Sequence, residues 1–371
     1  MDPRIQQEVR SKLGNLGFDL VRFAKPPLGE AGERFAEWLR RGYQGSMSYL
    51  ERRSAERRSP EKLLPDFRSA IVLAHGYDSG MANSADPGKA NISRYAWGQD
   101  YHEVLAAKLR EFQAWLAQRI PEARYYAGVD AAPILEKSWA ERCGLGWIGK
   151  HTNLIQAEAG SYFFLAVLLT NLDFVSDEPT EDRCGTCSRC IEICPTGAIV
   201  GPYQLDARLC ISYLTIELKG PIPRELRPLI GNHVFGCDDC QEVCPWNRFS
   251  KPAKEGHFYP RDGIRHQPLE SFLDLDEAEF KRRFAGSAIL RAKRRGFLRN
   301  VCVAIGNSGK AELAERLLPL LDDAEPLVRG HAAWALGRLG KASAHGPLAE
   351  RQKVELDSWV REELSQALAL T

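Results

Sequence analysis

Eight of the ten cysteines of this 371-residue chain lie in one stretch, and they limit its possible folds more than any other feature. The first run reads C-x-x-C-x-x-C-x-x-x-C-P and consists of Cys184, Cys187, Cys190 and Cys194, followed by Pro195. The second run, Cys237, Cys240 and Cys244 before Pro245, lacks the first member, which Cys210 can supply. Such density in a chain without secretory features indicates metal or redox chemistry rather than disulfides.

Eight thiolates make two sets of four, as two 4Fe-4S clusters require. In two-cluster ferredoxins the fourth cysteine of a run ligates the other cluster. We therefore predict two ligand sets: Cys184, Cys187, Cys190 and Cys244 for one cluster, and Cys194, Cys210, Cys237 and Cys240 for the other. Zinc is the alternative, but a third cysteine at the same interval and two C-P endings are not typical of zinc ribbons. Cys143 and Cys302 have no ligand-spaced partner, so we expect them in the core.

Composition excludes several classes of protein. Hydrophobic residues make up 44% and charged residues 27%, which rules out global disorder. A net charge of +1 excludes a uniformly basic nucleic-acid wrapper but allows a local basic face. The N-terminus has no signal-peptide pattern, and the longest apolar stretch, residues 162–169, is too short to span a bilayer. We expect a soluble, cytoplasmic protein with no membrane contact, and a monomer as the simplest state.

Three domains are expected, with boundaries at two polar segments. Residues 1–175 alternate amphipathic helices (5–16, 34–41 and 102–120) with short apolar strands (70–74 and 162–169), which favours an α/β or α+β layer architecture. Residues 176–255 hold the cysteines. In residues 256–371, Val328, Arg329 and Ala335 recur as Val360, Arg361 and Ala367, although Gly337 has no glycine counterpart. This pattern is typical of HEAT-like helical repeats. An ordinary helical bundle is the alternative.

Residues 128–155 are not explained by core packing alone. Asp130 stands among Val129, Ala131, Ala132 and Pro133, and a carboxyl buried there would have a raised pKa, which suits a proton donor. A turn or helix-cap aspartate is the alternative. Three glycines, Gly144, Gly146 and Gly149, allow close approach of the backbone to a ligand, but no strand clearly precedes them.

Together, these segments resemble the epoxyqueuosine reductase family over nearly the whole chain. The resemblance rests on "RRSPEKLLP" at residues 57–65, "WGQDYH" at 97–102, "VDAAP" to "GLGWIGK" at 129–150, the two cysteine runs in order, and "VRGHAAWALG" at 328–337. Members of the family perform the last step of queuosine formation in bacterial tRNA.

This resemblance implies cobalamin as the electron acceptor, bound with its nucleotide base detached from cobalt (base-off). It implies tRNA carrying epoxyqueuosine in the anticodon as substrate, an external one-electron donor of flavodoxin or ferredoxin type, and Asp130 as proton donor and cofactor contact. Further candidate cofactor contacts are Arg57, Ser93, Lys150, His151, Leu154 and Ser212. The D-x-H-x-x-G motif of many corrinoid proteins is absent, since Leu105 occupies its glycine position.

A basic run supports the RNA partner. Residues 281–299 contain eight basic residues and no acidic one, and phosphate contacts would make binding salt-dependent. The candidate tRNA contacts are Arg291, Lys293, Arg294, Arg295 and Arg299. Taken alone, the run would be a solvated helix face. Phe284 and Phe297, in the same run, are expected to pack in the core.

We therefore expect an α+β or α/β multidomain enzyme: an N-terminal α/β cobalamin-binding domain, a ferredoxin-like module with two 4Fe-4S clusters, and C-terminal α-helical HEAT-like repeats. One rival is a corrinoid iron–sulfur reductase of a small molecule, related to reductive dehalogenases. Others are a plain electron carrier and a zinc-stabilised RNA-binding module. Binding of tRNA, the presence of a corrinoid and the iron content discriminate among them.

Overall fold

In the computed structural model, which describes residues 1–371, the chain divides into two units. The first unit comprises residues 1–81, 98–207 and 239–259, and the second comprises 82–97, 208–238 and 260–371. The three domains expected from sequence stay a prediction. None of the helices has the length and apolar composition needed to cross a membrane.

Strands and helices are numbered in chain order. The strands are β1 (Leu20–Ala24), β2 (Ser69–Gly76), β3 (Asn91–Ile92), β4 (Tyr125–Gly128), β5 (Trp147–Ile148), β6 (Leu154–Ile155), β7 (Phe163–Thr170), β8 (Ile199–Gly201), β9 (Gln204–Leu205) and β10 (His233–Phe235). The helices are α1 (Pro3–Asn15), α2 (Ala31–Arg40), α3 (Ser48–Arg52), α4 (Ser54–Arg58), α5 (Tyr101–Arg119), α6 (Glu136–Arg142), α7 (Arg189–Ile193), α8 (Ile211–Ile216), α9 (Asp239–Glu242), α10 (Glu277–Arg283), α11 (Lys293–Ser308), α12 (Ala314–Leu317), α13 (Pro326–Leu339), α14 (His345–Val354) and α15 (Ser358–Leu368).

The core of the first unit is a four-stranded sheet in the order β1-β2-β7-β4, with every neighbouring pair antiparallel. Both apolar runs predicted as strands form its centre, with Ala70 opposite Leu169. All of β2 except its last residue is buried. Helix α6 packs Trp139 against the face that carries Ala70, Val72 and Ala74. An antiparallel sheet with helices favours α+β of the two classes left open by the sequence.

Local capping places the start of α5 next to the candidate catalytic loop. The carboxylate of Asp100 caps the helix by accepting a hydrogen bond from the backbone N–H of His102 at 3.0 Å. The helix ends at Arg119, shortly before Pro121, which cannot continue it. Tyr101 and His102 thereby occupy the first helical turn.

The second unit is largely helical, and small residues allow its helices to approach closely. A Cβ added at Gly306 of α11 would lie 3.0 Å from Cα of Ala335 in α13, and one at Gly337 of α13 would lie 2.7 Å from Cα of Ala367 in α15. Small residues that recur at a spacing of about one helix pair are the feature from which the sequence predicts repeats. Phe284 and Phe297 are fully buried, as expected, as are both isolated cysteines, Cys143 and Cys302.

Candidate functional site

Four cysteines of the first unit line one cavity of about 240 Å³. Cys184, Cys187 and Cys190 come from the loop that leads into α7, and Cys244 from the turn after α9. This is the first ligand set predicted from the spacing, including the exchange of the last cysteine between runs. A cluster of four thiols around one cavity suits a soft metal centre, and four such donors fit a 4Fe-4S cluster.

Burial raises the pKa of these thiols, and nearby N–H groups partly offset it. Burial raises the pKa of the Cys184 thiol, while the backbone N–H of Lys150 and the indole N–H of Trp147 act in the opposite direction. Burial also raises the pKa of Cys190, and the neighbouring thiols raise it further. The indole nitrogen of Trp147 is buried and makes no hydrogen bond within ordinary distance, but it lies near enough to Cys184 to lower the pKa of that thiol. Sequence reasoning missed Trp147, since nothing in its spacing relates it to Cys184.

The second predicted ligand set is divided between the units. Cys194 and Cys240 belong to the first unit, and Cys210 and Cys237 to the second. In the first unit, the backbone N–H of Ala198 donates to Sγ of Cys194 at 3.3 Å, as N–H groups do around cluster thiolates. The assignment of this set stays a prediction.

Asp130 is exposed, which corrects the expectation that burial would raise its pKa. Its side chain is 62% exposed, because the loop after β4 turns it away from the apolar neighbours on which that expectation depended. The hydroxyl of Tyr101 donates to Oδ2 of Asp130 at 2.6 Å, and Nε2 of His102 lies 3.5 Å from the same oxygen. The backbone N–H of Asp130 donates to Oε1 of Glu136 at 2.7 Å.

Two groups beside Asp130 have strongly shifted pKa values. Burial opposes the charged form of His102, but its hydrogen bond with Asp100 and the carboxylate of Asp130 raise its pKa to about 9. Burial and the charge of Asp130 raise the pKa of Glu136 well above its ordinary value. His102 is therefore charged at neutral pH. The segment "WGQDYH" contributes to the family resemblance, but only the structure connects Tyr101 and His102 to Asp130.

The other candidate cofactor contacts of the first unit fall into two groups. Arg57 is buried beside the Asp130 loop, and the only hydrogen bond of its side chain is to the carbonyl of Ala132 at 3.4 Å. Lys150 and His151 instead line the cysteine cavity, where the ammonium of Lys150 donates to the carbonyls of Gly185 and Cys187 at 2.6 and 2.9 Å.

Leu154 belongs to the hydrophobic core of the first unit, so its side chain is not available to a ligand. In the second unit, Ser93 donates to the carboxylate of Asp238, and Ser212 donates to the carbonyl of Cys237 at 3.5 Å. Both serines therefore lie beside the segment that carries Cys237. A role for any of these residues in binding cobalamin stays a prediction.

The glycines at residues 144–149 allow close packing within the protein itself. A Cβ at Gly144 would lie 1.9 Å from the carbonyl oxygen of Glu178, and one at Gly146 would lie 2.2 Å from that of Ile155. The hairpin of β5 and β6 requires this close approach. Packing therefore accounts for Gly144 and Gly146 without a bound ligand.

The basic run is less exposed than its composition suggests, and the prediction of Arg299 as a tRNA contact is wrong. Its side chain is fully buried and donates to the carbonyls of Leu214, Leu218 and Gly220, at the end of α8. Arg294 is largely covered and pairs with Asp323 at 2.5 Å. Helical periodicity explains both outcomes, because a basic run that spans a whole helix also places residues on the packed face.

Three members of the set remain exposed to some degree. Arg291 pairs with Glu217 at 2.5 Å, and Arg295 lies 3.8 Å from Glu325. Lys293 is exposed at the start of α11 and forms no ion pair. A basic surface therefore persists, but it is smaller than predicted.

Family models match three parts of the chain. Residues 57–131 match "Epoxyqueuosine reductase QueG, DUF1730", residues 183–247 match "4Fe-4S double cluster binding domain", and residues 287–369 match "HEAT repeats". The last of these confirms HEAT-like repeats over an ordinary bundle.

Curated relatives match the chain along most of its length. The epoxyqueuosine reductase of Pseudomonas aeruginosa is 44% identical over 347 residues, which cover 92% of this chain and 96% of that protein. The epoxyqueuosine reductase of Escherichia coli K12 is 40% identical over 339 residues, which cover 90% of this chain and 89% of that protein.

Solved structures agree over the entire fold. A crystal structure of epoxyqueuosine reductase with an epoxyqueuosine-modified tRNA-Tyr stem loop has a TM-score of 0.94 at 31% identity, covering 99% of this chain and 98% of that one. An epoxyqueuosine reductase from Bacillus subtilis, described with its catalytic aspartate loop swung out of the active site, has a TM-score of 0.91 at 30% identity and covers 99% of both chains.

Proposed function

The chain belongs to the epoxyqueuosine reductase family of oxidoreductases, and from this membership we propose that it reduces epoxyqueuosine to queuosine at the wobble position of tRNA. The observation that carries the proposal is the agreement with this family along nearly the whole chain, at 44% identity over 92% of it. The solved relative that holds an epoxyqueuosine-modified stem loop supports tRNA as the substrate.

The reaction requires electrons to be collected and delivered. Conversion of the epoxide to an alkene consumes two electrons and two protons and releases one water. In our proposal an external flavodoxin- or ferredoxin-type donor supplies the electrons one at a time, and two 4Fe-4S clusters carry them inward. The cavity lined by Cys184, Cys187, Cys190 and Cys244 supports the first of these clusters. The proposed setting is the cytoplasm, where thiols stay reduced, and we expect a monomer.

Cobalamin, when bound, would supply a reduced cobalt centre able to pass both electrons to the substrate. A buried guanidinium without a carboxylate partner fits a ligand that brings its own acceptor oxygens, and Arg57 is such a group beside the Asp130 loop. The amides and phosphate of cobalamin offer acceptors of this kind. Arg57 and Asp130 are the residues of the first unit that we propose to hold it.

Asp130 is the group we propose to protonate the epoxide oxygen. Cleavage of the C–O bond would otherwise leave an alkoxide, and a positioned acid avoids that charge. Tyr101 holds the carboxyl through its hydroxyl, and Nε2 of His102, which is charged at neutral pH, lies 3.5 Å from Oδ2. A proton consumed by the substrate can thus be replaced from His102.

Metal analysis tests the electron path. After anaerobic reconstitution with iron, sulfide and cobalamin, we expect about eight irons and one cobalt per chain, since each of two clusters has four irons. Eight irons without retained cobalt would contradict the cobalamin proposal and leave the protein an electron carrier.

Replacement of Asp130 tests the proton donor. Asp130→Asn keeps the shape of the side chain but removes the exchangeable carboxyl proton, so we expect turnover of epoxyqueuosine tRNA to fall about 10²- to 10⁴-fold. Iron and cobalt content and the absorption spectrum should not change. The variant Asp262→Asn, which changes an exposed aspartate, serves as the control. Near-normal turnover by Asp130→Asn would remove Asp130 from the mechanism.

A further inference from the structure

The mouth of the cysteine cavity carries a cluster of positive charge. Arg183, Arg189 and Arg248 line this cavity, and all three are exposed. None of them pairs with a carboxylate, whereas other exposed arginines of the same unit do, such as Arg40 with Glu37 and Arg58 with Glu33. Unpaired like charges grouped at one opening repel one another, so their grouping indicates an anionic partner.

Aromatic side chains lie beside these arginines. Trp246 lines the cavity and packs edge-on against Trp147, with ring centroids 5.0 Å apart. Phe249 is 38% exposed and lies 5.9 Å from Trp246, under the guanidinium of Arg248 at 4.6 Å. Exposed aromatic groups within a charged rim are the usual composition of a protein-binding surface.

The same opening gives access to the thiols. Cys184 and Cys187 are partly exposed, whereas Cys190 is buried behind them. A partner seated on the rim would therefore lie directly over the ligands of the first cluster. An RNA strand would also complement the positive charge of the three arginines. Binding of RNA would not, however, explain why these arginines surround the ligands of an electron-transfer centre.

We propose that the donor-docking face, formed by Arg183, Arg189, Arg248, Trp246 and Phe249, binds an acidic one-electron carrier protein. The carrier gives up one electron to the cluster held by Cys184, Cys187, Cys190 and Cys244, and no bond or proton changes hands. This inference rests on the proposed function, because it requires these cysteines to hold iron and sulfide. Interfaces of this kind are small, and electrostatic attraction governs their rate of association.

Charge reversal on the holoenzyme tests the proposal. In stopped-flow experiments, flavodoxin hydroquinone serves as the acidic carrier and bleaching of the iron–sulfur absorption is followed. For the triple variant Arg183→Glu, Arg189→Glu, Arg248→Glu, we expect the second-order rate constant at low salt to fall about 10- to 10³-fold. In the parent, the rate constant should decrease with rising salt, because salt screens the attraction between the arginines and the carrier. In the variant, which lacks this attraction, that decrease should disappear.

Two controls separate docking from damage. Photoreduced 5-deazariboflavin, a small uncharged reductant, should reduce the clusters of parent and variant equally fast. The variant Arg4→Glu, Arg34→Glu, Arg40→Glu changes three exposed arginines of the same unit and alters the net charge equally, and it should leave reduction by flavodoxin near the parent rate. If the triple Arg→Glu variant retains less iron than the parent, the corresponding triple Arg→Gln variant is used instead. For that variant we expect a smaller decrease in the rate constant of reduction by flavodoxin.

Each remaining outcome decides against the proposal in a distinguishable way. Reduction of the triple variant by flavodoxin at the parent rate would overturn it. Normal reduction together with failure to bind an anticodon stem loop would assign the face to RNA instead. A parent protein that retains no iron after reconstitution would refute the proposed function itself, before any question of docking arises.

Discussion

Asp130 adopts a backbone conformation that few residues other than glycine accept, with φ at 55°. Such a conformation costs about 1–3 kcal/mol and persists only where surrounding contacts maintain it. Here the backbone N–H is held by Glu136 and the carboxylate by Tyr101. The strain projects the side chain outward, so that the carboxylate is available to a substrate while its base remains fixed.

His102 offers a test of this arrangement that does not depend on activity. Its pKa is raised from 6.5 to about 9, because its hydrogen bond with Asp100 and the charge of Asp130 outweigh burial. Its stabilising contribution is therefore fully present below about pH 6.5 and disappears as the pH rises through about 9. In Asp130→Asn one of the two carboxylates is gone, and we expect the pKa of His102 to fall toward its ordinary value. An NMR titration of the imidazole resonances measures it.

Two further single variants serve as controls for this titration. His102→Gln identifies the resonance, and Asp262→Asn should leave its pKa where the parent has it. A pKa of His102 near 9 in both the parent and Asp130→Asn would mean that Asp130 does not act on the imidazole.

At the scale of elements, the close approach of helices α13 and α15 depends on Gly337. A Cβ there would lie 2.7 Å from Cα of Ala367, and backbone cannot give way as a flexible side chain can. Gly337→Ala should therefore lower the free energy of unfolding by about 1–3 kcal/mol, as overpacking does. Gly346→Ala in α14 meets nothing within 4 Å and should instead stabilise by about 0.4–1 kcal/mol. Thermal or urea unfolding of both variants measures the difference, and equal changes would contradict the close approach of the two helices.

The spacing of residues along the chain predicted those features that depend on neighbouring residues of the sequence. The cysteine intervals predicted which thiols would share a cavity, and apolar runs predicted the two central strands, because these patterns follow from backbone geometry alone. Burial of single polar residues was not predictable. Asp130 stands among apolar neighbours yet faces solvent, and Arg299 belongs to a basic run yet is buried, since the packing of distant segments decides both.

At the scale of the whole molecule, the chain passes repeatedly between its two units. Within the second unit, Arg299 of α11 holds the end of α8, and the amide of Asn300 donates to the carbonyls of Thr215 and Val234, both at 2.8 Å. The segment that bears Cys210 and Cys237 is thus tied to the repeat helix. Part of the basic run supports the cysteines, and only the rest is free for RNA.

The exposed remainder of the basic run makes a specific prediction about tRNA. Lys293 and Arg295 point to solvent, whereas Arg294 is occupied by Asp323. The double variant Lys293→Glu, Arg295→Glu should weaken binding of an anticodon stem loop. The slope of log affinity against log salt should become shallower by about 0.7–0.9 for each phosphate that the variant no longer neutralises. Fluorescence anisotropy between about 50 and 200 mM salt measures the slope. Arg316→Glu, Lys341→Glu, exposed elsewhere in the same unit, is the control, and an unchanged slope in the first variant would place the RNA on another surface.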